Sequence, residues 1–208
     1  MAASPRIRTI VITGGPCSGK TTALAWLRSD LESRGYKLLF VPEVATEFIS
    51  GGVAPWTCRS YDDFQRSVCE MQLTKEDAFR HAAERMDDEE LVIIQDRGVM
   101  DNKGYMTPEG FERLLEDLGM TEEEIYARYD AVFHLVSTAK GALSAYTLEN
   151  NATRKETPEQ AAAVDDRLIA SWSGHPHFSV IYNADEFAGK MTVLLRRVHD
   201  FLEKGTRA

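Results

Sequence analysis

Residues 10–22 read IVITGGPCSGKTT, an apolar β-branched run that breaks into a glycine-rich turn and then, without a spacer, into helix-forming residues. Together with Ile7 the run has the composition of a buried strand, and residues 14–21 fit G-x-x-x-x-G-K-[ST]. The order strand, phosphate loop, helix is what a triphosphate site requires. A polyphosphate must meet many inward backbone N–H groups within a few ångströms, and Gly14, Gly15 and Gly19 let the chain wrap an anion with no Cβ in the way. The helix that starts near Lys20 adds its N-terminal partial positive charge. Lys20 is placed to reach the β- and γ-phosphates, and the Thr21 hydroxyl to join the shell of Mg²⁺. The candidate nucleotide-binding residues are therefore Gly14, Gly15, Pro16, Cys17, Ser18, Gly19, Lys20, Thr21 and Thr22.

Outward from that loop, apolar runs alternate with helical patterns. Leu24, Leu27 and Leu31 mark a first helix that Gly35 stops, and residues 36–41 (YKLLFV) form a second strand ended by Pro42. A Gly/Pro loop at 51–56 leads into a long helix over 62–86. A third strand, LVII at 91–94, runs into Gln95-Asp96-Arg97-Gly98. Residues 108–118 make a helix stopped by Gly119, and Thr121 with Glu124 makes a capping box. A fourth strand follows at 131–136. Helix 158–172, a fifth strand at 178–182 and a last helix at 186–203 complete the chain. The alternation predicts an α/β fold with a five-stranded parallel sheet covered on both faces.

In such sheets ligands gather at the carboxyl ends of the strands. The loop at 14–21, Glu43, Asp96-Arg97, residues 137–140 and Asn183 all fall at that edge. Asp96 ends an apolar strand, as a Walker-B-like carboxylate does, so Thr21 and Asp96 are the metal candidates. Glu43 stands where a carboxylate can accept the proton of a substrate hydroxyl, and Arg97 where a guanidinium can clamp phosphate. Arg154, in the polar stretch 147–157, suits a basic lid over the phosphates. The catalytic candidates are Lys20, Glu43, Asp96, Arg97 and Arg154, with Asn183 as a contact to the nucleotide base.

The chain of 208 residues, 43 % hydrophobic, can bury a core as one domain over 1–208, with a lid-like segment at about 140–175. A formal charge of −9 argues against a general nucleic-acid or anionic-membrane surface. No apolar run reaches the ~18–20 residues of a membrane span, and the opening MAASPRIR has no apolar core of a secretory signal. A cytoplasmic protein is the expectation. Cys17, Cys58 and Cys69 have neither C-x-x-C spacing nor an even count, so no disulfide framework or zinc site is indicated. His175 and His177 sit two apart in a proline-broken loop, too few ligands for a metal.

The blocks GGPCSGKTT, VPEVATEF, QDRGVMDNKGYM, HLVSTAKGA, NNATRKE and SWSGHPHFSVIYN, in this order, resemble the NadR-type P-loop domains, an AAA-labelled family with nicotinamide riboside kinase domains and nucleotide-binding regulators among its members. The resemblance implies a three-layer P-loop NTPase/kinase-like fold that binds ATP or GTP with Mg²⁺ through Lys20, Thr21 and Asp96. VPE with a later DR pair also resembles deoxynucleoside kinases, which implies a base at Glu43 and a phosphate ligand at Arg97. No N-K-x-D motif follows strand four, so adenine and guanine both stay open. Two functions follow: a kinase acting on a hydroxyl of a nucleoside-like small molecule, or a nucleotide-dependent regulator with no small acceptor.

Overall fold

The computed structural model describes residues 6–140 and 157–204. Arg6–Gly14 (β1), Lys37–Val41 (β2), Glu90–Asp96 (β3), Ala131–Leu135 (β4) and Phe178–Ile181 (β5) form one parallel sheet in the order β2-β3-β1-β4-β5. The order explains which face each connection covers. A right-handed crossover from β1 out to β2 lays its helix on one side, and the later crossovers run the other way and lay theirs on the opposite side. Side chains alternate along each strand, so β1 buries Ile10 and Ile12 against Lys20–Ser33 (α1) and Phe187–Lys204 (α8). Val11 and Val132 face the other layer, with Cys69 of Tyr61–Ala83 (α3), Leu114 of Pro108–Leu118 (α5) and Trp172 of Pro158–Trp172 (α7). Three layers result, with the apolar strands buried on both faces.

The register brings the strand ends level. Ile12 lies opposite Asp96, Val41 opposite Gln95 and Gly14 opposite Leu135. Chain leaving each strand therefore enters the same rim.

Two short helices have no counterpart in the sequence reading: Val44–Ser50 (α2) and Asp101–Tyr105 (α4). Neither is long enough to show helical periodicity, and α4 buries Asp101, Asn102 and Gly104 rather than an apolar stripe. The capping box forms as expected, with Thr121 accepting from the Glu124 amide and Glu124 from the Thr121 amide, at the start of Glu122–Tyr126 (α6).

The segment expected to be lid-like, about 140–175, is described only in part. Its described part is α7, whose Val164, Leu168 and Trp172 are buried and which packs against α4 and β1. A helix with that apolar face belongs to the core. Arg154 and Lys155 lie outside the described residues. Among the described residues no helix is long and apolar enough to cross a membrane.

Candidate active site

The phosphate loop follows β1 without a break. Gly14 is required: a Cβ there would stand 2.3 Å from the Leu135 carbonyl oxygen on a backbone with φ of 153°. Gly19 caps α1 at φ 88°, left-handed, with the Phe187 ring 2.5 Å from where its Cβ would be. Between them, three successive carbonyls are held from outside the loop. Ser137 Oγ donates to Pro16 O at 2.5 Å, Thr138 Oγ1 to Cys17 O at 3.1 Å, and Lys190 Nζ to Ser18 O at 2.9 Å. In a planar trans peptide the following N–H points opposite to the carbonyl. Outward carbonyls therefore turn the amides of Cys17, Ser18 and Gly19 inward, where an anion is gripped.

Behind the loop lies a buried polar network. Asp165 of α7, with no exposed surface, accepts from Gly15 N at 3.0 Å, Ser137 N at 3.1 Å and His134 Nε2 at 3.0 Å, and Lys140 Nζ stands 2.9 Å from its other oxygen. Burial pushes this carboxyl up, but the donors around it outweigh that and hold it at about 2. The network also accounts for Gly15, whose Cβ would come within 2.7 Å of Asp165 Oδ1. Asn183 lies at the same rim. Its amide nitrogen donates to Ser137 O and Lys140 O, and its oxygen accepts from Lys190, so the side chain serves as a strut between β4 and β5.

Opposite, the ends of β2 and β3 bring together Lys20, Glu43, Asp96 and Arg97. Arg97 Nε pairs with Glu43 Oε1, and Arg97 Nη1 donates to Gly14 O at 3.1 Å. The Tyr105 ring lies 5.5 Å from the guanidinium. Arg97 itself sits at φ 71°, a left-handed backbone that a non-glycine residue adopts only when its surroundings insist. They do: its N–H donates to Ile12 O, its carbonyl accepts from Gln72, and the next amide donates to Asp101. Burial pushes the Glu43 carboxyl up, yet Arg97, Lys20 and the Thr46 hydroxyl, 2.6 Å away, pull it down to about 2. Glu43 is ionised at neutral pH.

Asp96 is the contrast. Burial raises its carboxyl, Lys20 opposes that only in part, and Oδ1 is buried without a hydrogen-bond partner among the described residues. The orphaned Asp96 oxygen at the strand end and the hydroxyl of Thr21, exposed at the helix start, are oxygen donors of the kind a hard divalent cation takes. Lys20, nine-tenths buried, reaches back to Gly14 O at 3.4 Å.

Beside this centre opens a cavity of about 760 Å³, bounded by α2, α3 and the loop that carries Trp56. Its walls are apolar, with Val44, Ile49, Phe64 and Val68. Amides from Gln65, Gln72 and Asn102 also line it, as does Trp56, which is 68 % exposed. Gln72 and Asn102 bond to each other and to the backbone around Arg97. The side-chain amide of Gln65, a residue 5 % exposed, makes no hydrogen bond to a described residue. These amides escape a reading of motifs. The signal that could have found Gln65 is its position on the inner stripe of α3, between Phe64 and Val68, where an apolar residue belongs.

A parallel sheet in this order, with a phosphate loop after the central strand and a carboxylate ending its neighbour, defines a P-loop protein of the α/β class. The AAA domain family model matches residues 9–188, and the chain belongs to that family, which points to nucleotide binding. Among curated proteins none matches the chain.

Proposed function

We propose that the protein is a kinase that transfers the γ-phosphoryl group of ATP or GTP to a hydroxyl of an uncharged, nucleoside-like small molecule. The observation that carries this reading is the cavity: it adjoins Glu43, Asp96 and Arg97, and its volume lies within the ~300–1,000 Å³ typical of small-molecule sites. Arg97 is the one cation among its described lining residues and is engaged by Glu43. Beyond the acidic groups Glu43, Asp96 and Asp101, the described lining is largely apolar side chains and amides, which suits a neutral ring with hydrogen-bonding edges and not a second phosphate.

The chemistry asks little covalent work of the protein. Amides of the loop and Lys20 hold the phosphates in place. Glu43, ionised and fixed by Arg97 and Thr46, accepts a hydrogen bond from the acceptor hydroxyl and orients its oxygen. As that oxygen bonds to the γ-phosphorus and the β–γ bridge breaks, Glu43 takes the hydroxyl proton. A carboxylate held at about 2 is a weak base, so the proton moves late and orientation is its main contribution. Thr21 and Asp96 would hold Mg²⁺, which supplies charge neutralisation across the phosphates. Arg154 is proposed as a further cation over the phosphates.

One observation favours a regulator instead: Trp56 is the most exposed tryptophan, and its loop could meet a partner. Screening nucleosides and ribosides for acceptor-stimulated release of nucleoside diphosphate separates the two. Stimulation that disappears in Glu43→Gln, with nucleotide binding kept, supports the kinase. Tight nucleotide binding with no stimulating acceptor supports the regulator.

A further inference from the structure

Lys190 carries a charge where a solvated helix would put none. It lies on α8, is 2 % exposed, and no carboxylate among the described residues touches it. Its three ammonium hydrogens instead go to three oxygens: Ser18 O at 2.9 Å, Val136 O at 2.6 Å and Asn183 Oδ1 at 3.0 Å. Those oxygens belong to three different parts of the rim, namely the phosphate loop, the end of β4 and the chain after β5. A buried, unpaired ammonium is costly to keep, and its return is the conformation of Ser18 to Gly19. With the Ser18 carbonyl drawn outward onto Lys190, the Gly19 N–H is fixed facing the loop interior, and the positive charge stands directly behind that peptide. We propose that Lys190 is a positioning residue of the phosphate loop, holding the Ser18–Gly19 peptide in its anion-gripping orientation and adding a buried positive charge beneath the bound polyphosphate.

Among the described residues, few other charges act on the ammonium. Lys20 on α1 repels it and Asp165 on α7 attracts it, and Cys17 is the other titratable side chain in the adjoining loop. Burial, the strongest influence, brings Lys190 down to about 8. Above that pH the neutral amine keeps two hydrogens for three acceptors, so both the clamp and the charge weaken.

The test is binding of a fluorescent ATP or GTP analogue in magnesium buffer, read from pH 7 to 9.5 and repeated in a Cys17→Ser background so that the thiol cannot carry the pH dependence. The wild type should lose affinity by about tenfold as pH rises through the Lys190 transition, because each pKa unit between free and bound states is a factor of ten. Lys190→Met should bind at least tenfold more weakly at pH 7 and with a flat profile. A folded Lys190→Met within twofold of wild type at pH 7, or a wild-type profile that is itself flat, overturns the proposal. Should Lys190→Met fail to fold, the wild-type profile alone decides. A wild type that retains neither nucleotide overturns this proposal together with the kinase reading, whereas nucleotide binding without acceptor stimulation sinks only the kinase.

Discussion

The two halves of the rim are built by opposite rules. On the β4/β5 side, Asp165, Lys140, Asn183 and Lys190 spend their polar atoms on the protein, and three of the four hold the phosphate loop or the strand end beside it. On the β2/β3 side, among the described residues, Asp96 Oδ1 has no hydrogen-bond partner, the Gln65 amide lines the cavity without one, and Trp56 stands in solvent. The difference corresponds to what each half would hold. A polyphosphate is the same in every nucleotide, so its cradle can be fixed in advance; an acceptor brings its own hydrogen bonds and needs groups left open for it. Removing a side chain from the first half should cost nucleotide affinity, and removing one from the second should cost turnover or acceptor binding with nucleotide affinity kept.

The largest effect should come from Asp165→Ala. It strips the partner from His134 and from the Gly15 and Ser137 amides in a dry site and leaves Lys140 with Asp166 alone, and each buried donor left unpaired costs about 1–3 kcal/mol. Urea unfolding should show that loss, with nucleotide affinity falling alongside. Stability unchanged within about 1 kcal/mol would mean the rim is not preorganised by this network.

Glu43→Gln should behave in the opposite way. Amide and carboxylate are nearly the same shape, so the cavity survives, and turnover should fall by about 10²–10³ while nucleotide affinity stays within about threefold. Loss of nucleotide binding with turnover would erase the distinction between the halves, since Glu43 would then be part of the phosphate cradle.

Acid should weaken both halves together. Asp165 and Glu43 are each held near 2, below ordinary values of 3.8 and 4.5. A carboxyl depressed on folding contributes stability that is complete above its unfolded value and vanishes as pH falls toward its folded one, about 2–3 kcal/mol for a shift of this size. Unfolding free energy should thus drop between about pH 5 and 2. Asp165→Asn and Glu43→Gln should each flatten part of that slope, the two parts being additive if the halves are independent.

How far the sequence reveals this division follows from the same physics. Strands buried on both faces read as continuous apolar runs, so the sheet was legible, as was the loop with Lys20 and Thr21 and the strand-end positions of Glu43, Asp96 and Arg97. The supporting groups were not. Asp165, Lys190 and Gln65 are letters that a solvated helix also uses, and only the packing reveals that they face inward. A trace was present: Asp165 lies between Ala161 and Leu168, and Lys190 beside Met191 and four residues before Leu194, on stripes that are otherwise apolar. Asn183 was legible as a rim residue, whereas its bonds to Ser137, Lys140 and Lys190 are ones that no motif encodes.

Trp56→Ala should produce the smallest effect on the fold and the sharpest test of what the open half is for. At 68 % exposure the indole contributes little burial, so stability should stay within about 0.5 kcal/mol. If the ring lids the cavity, KM for a stimulating acceptor should rise several-fold with kcat nearly unchanged, the pattern of a group that binds acceptor equally in ground and transition states. Unchanged KM would remove Trp56 from the acceptor site and leave its loop as a surface for a partner. Because neither outcome touches the phosphate cradle, nucleotide affinity should be the same in both, and a change in it would show that the two halves of the rim communicate through Arg97, the side chain that bonds to Glu43 on one side and Gly14 on the other.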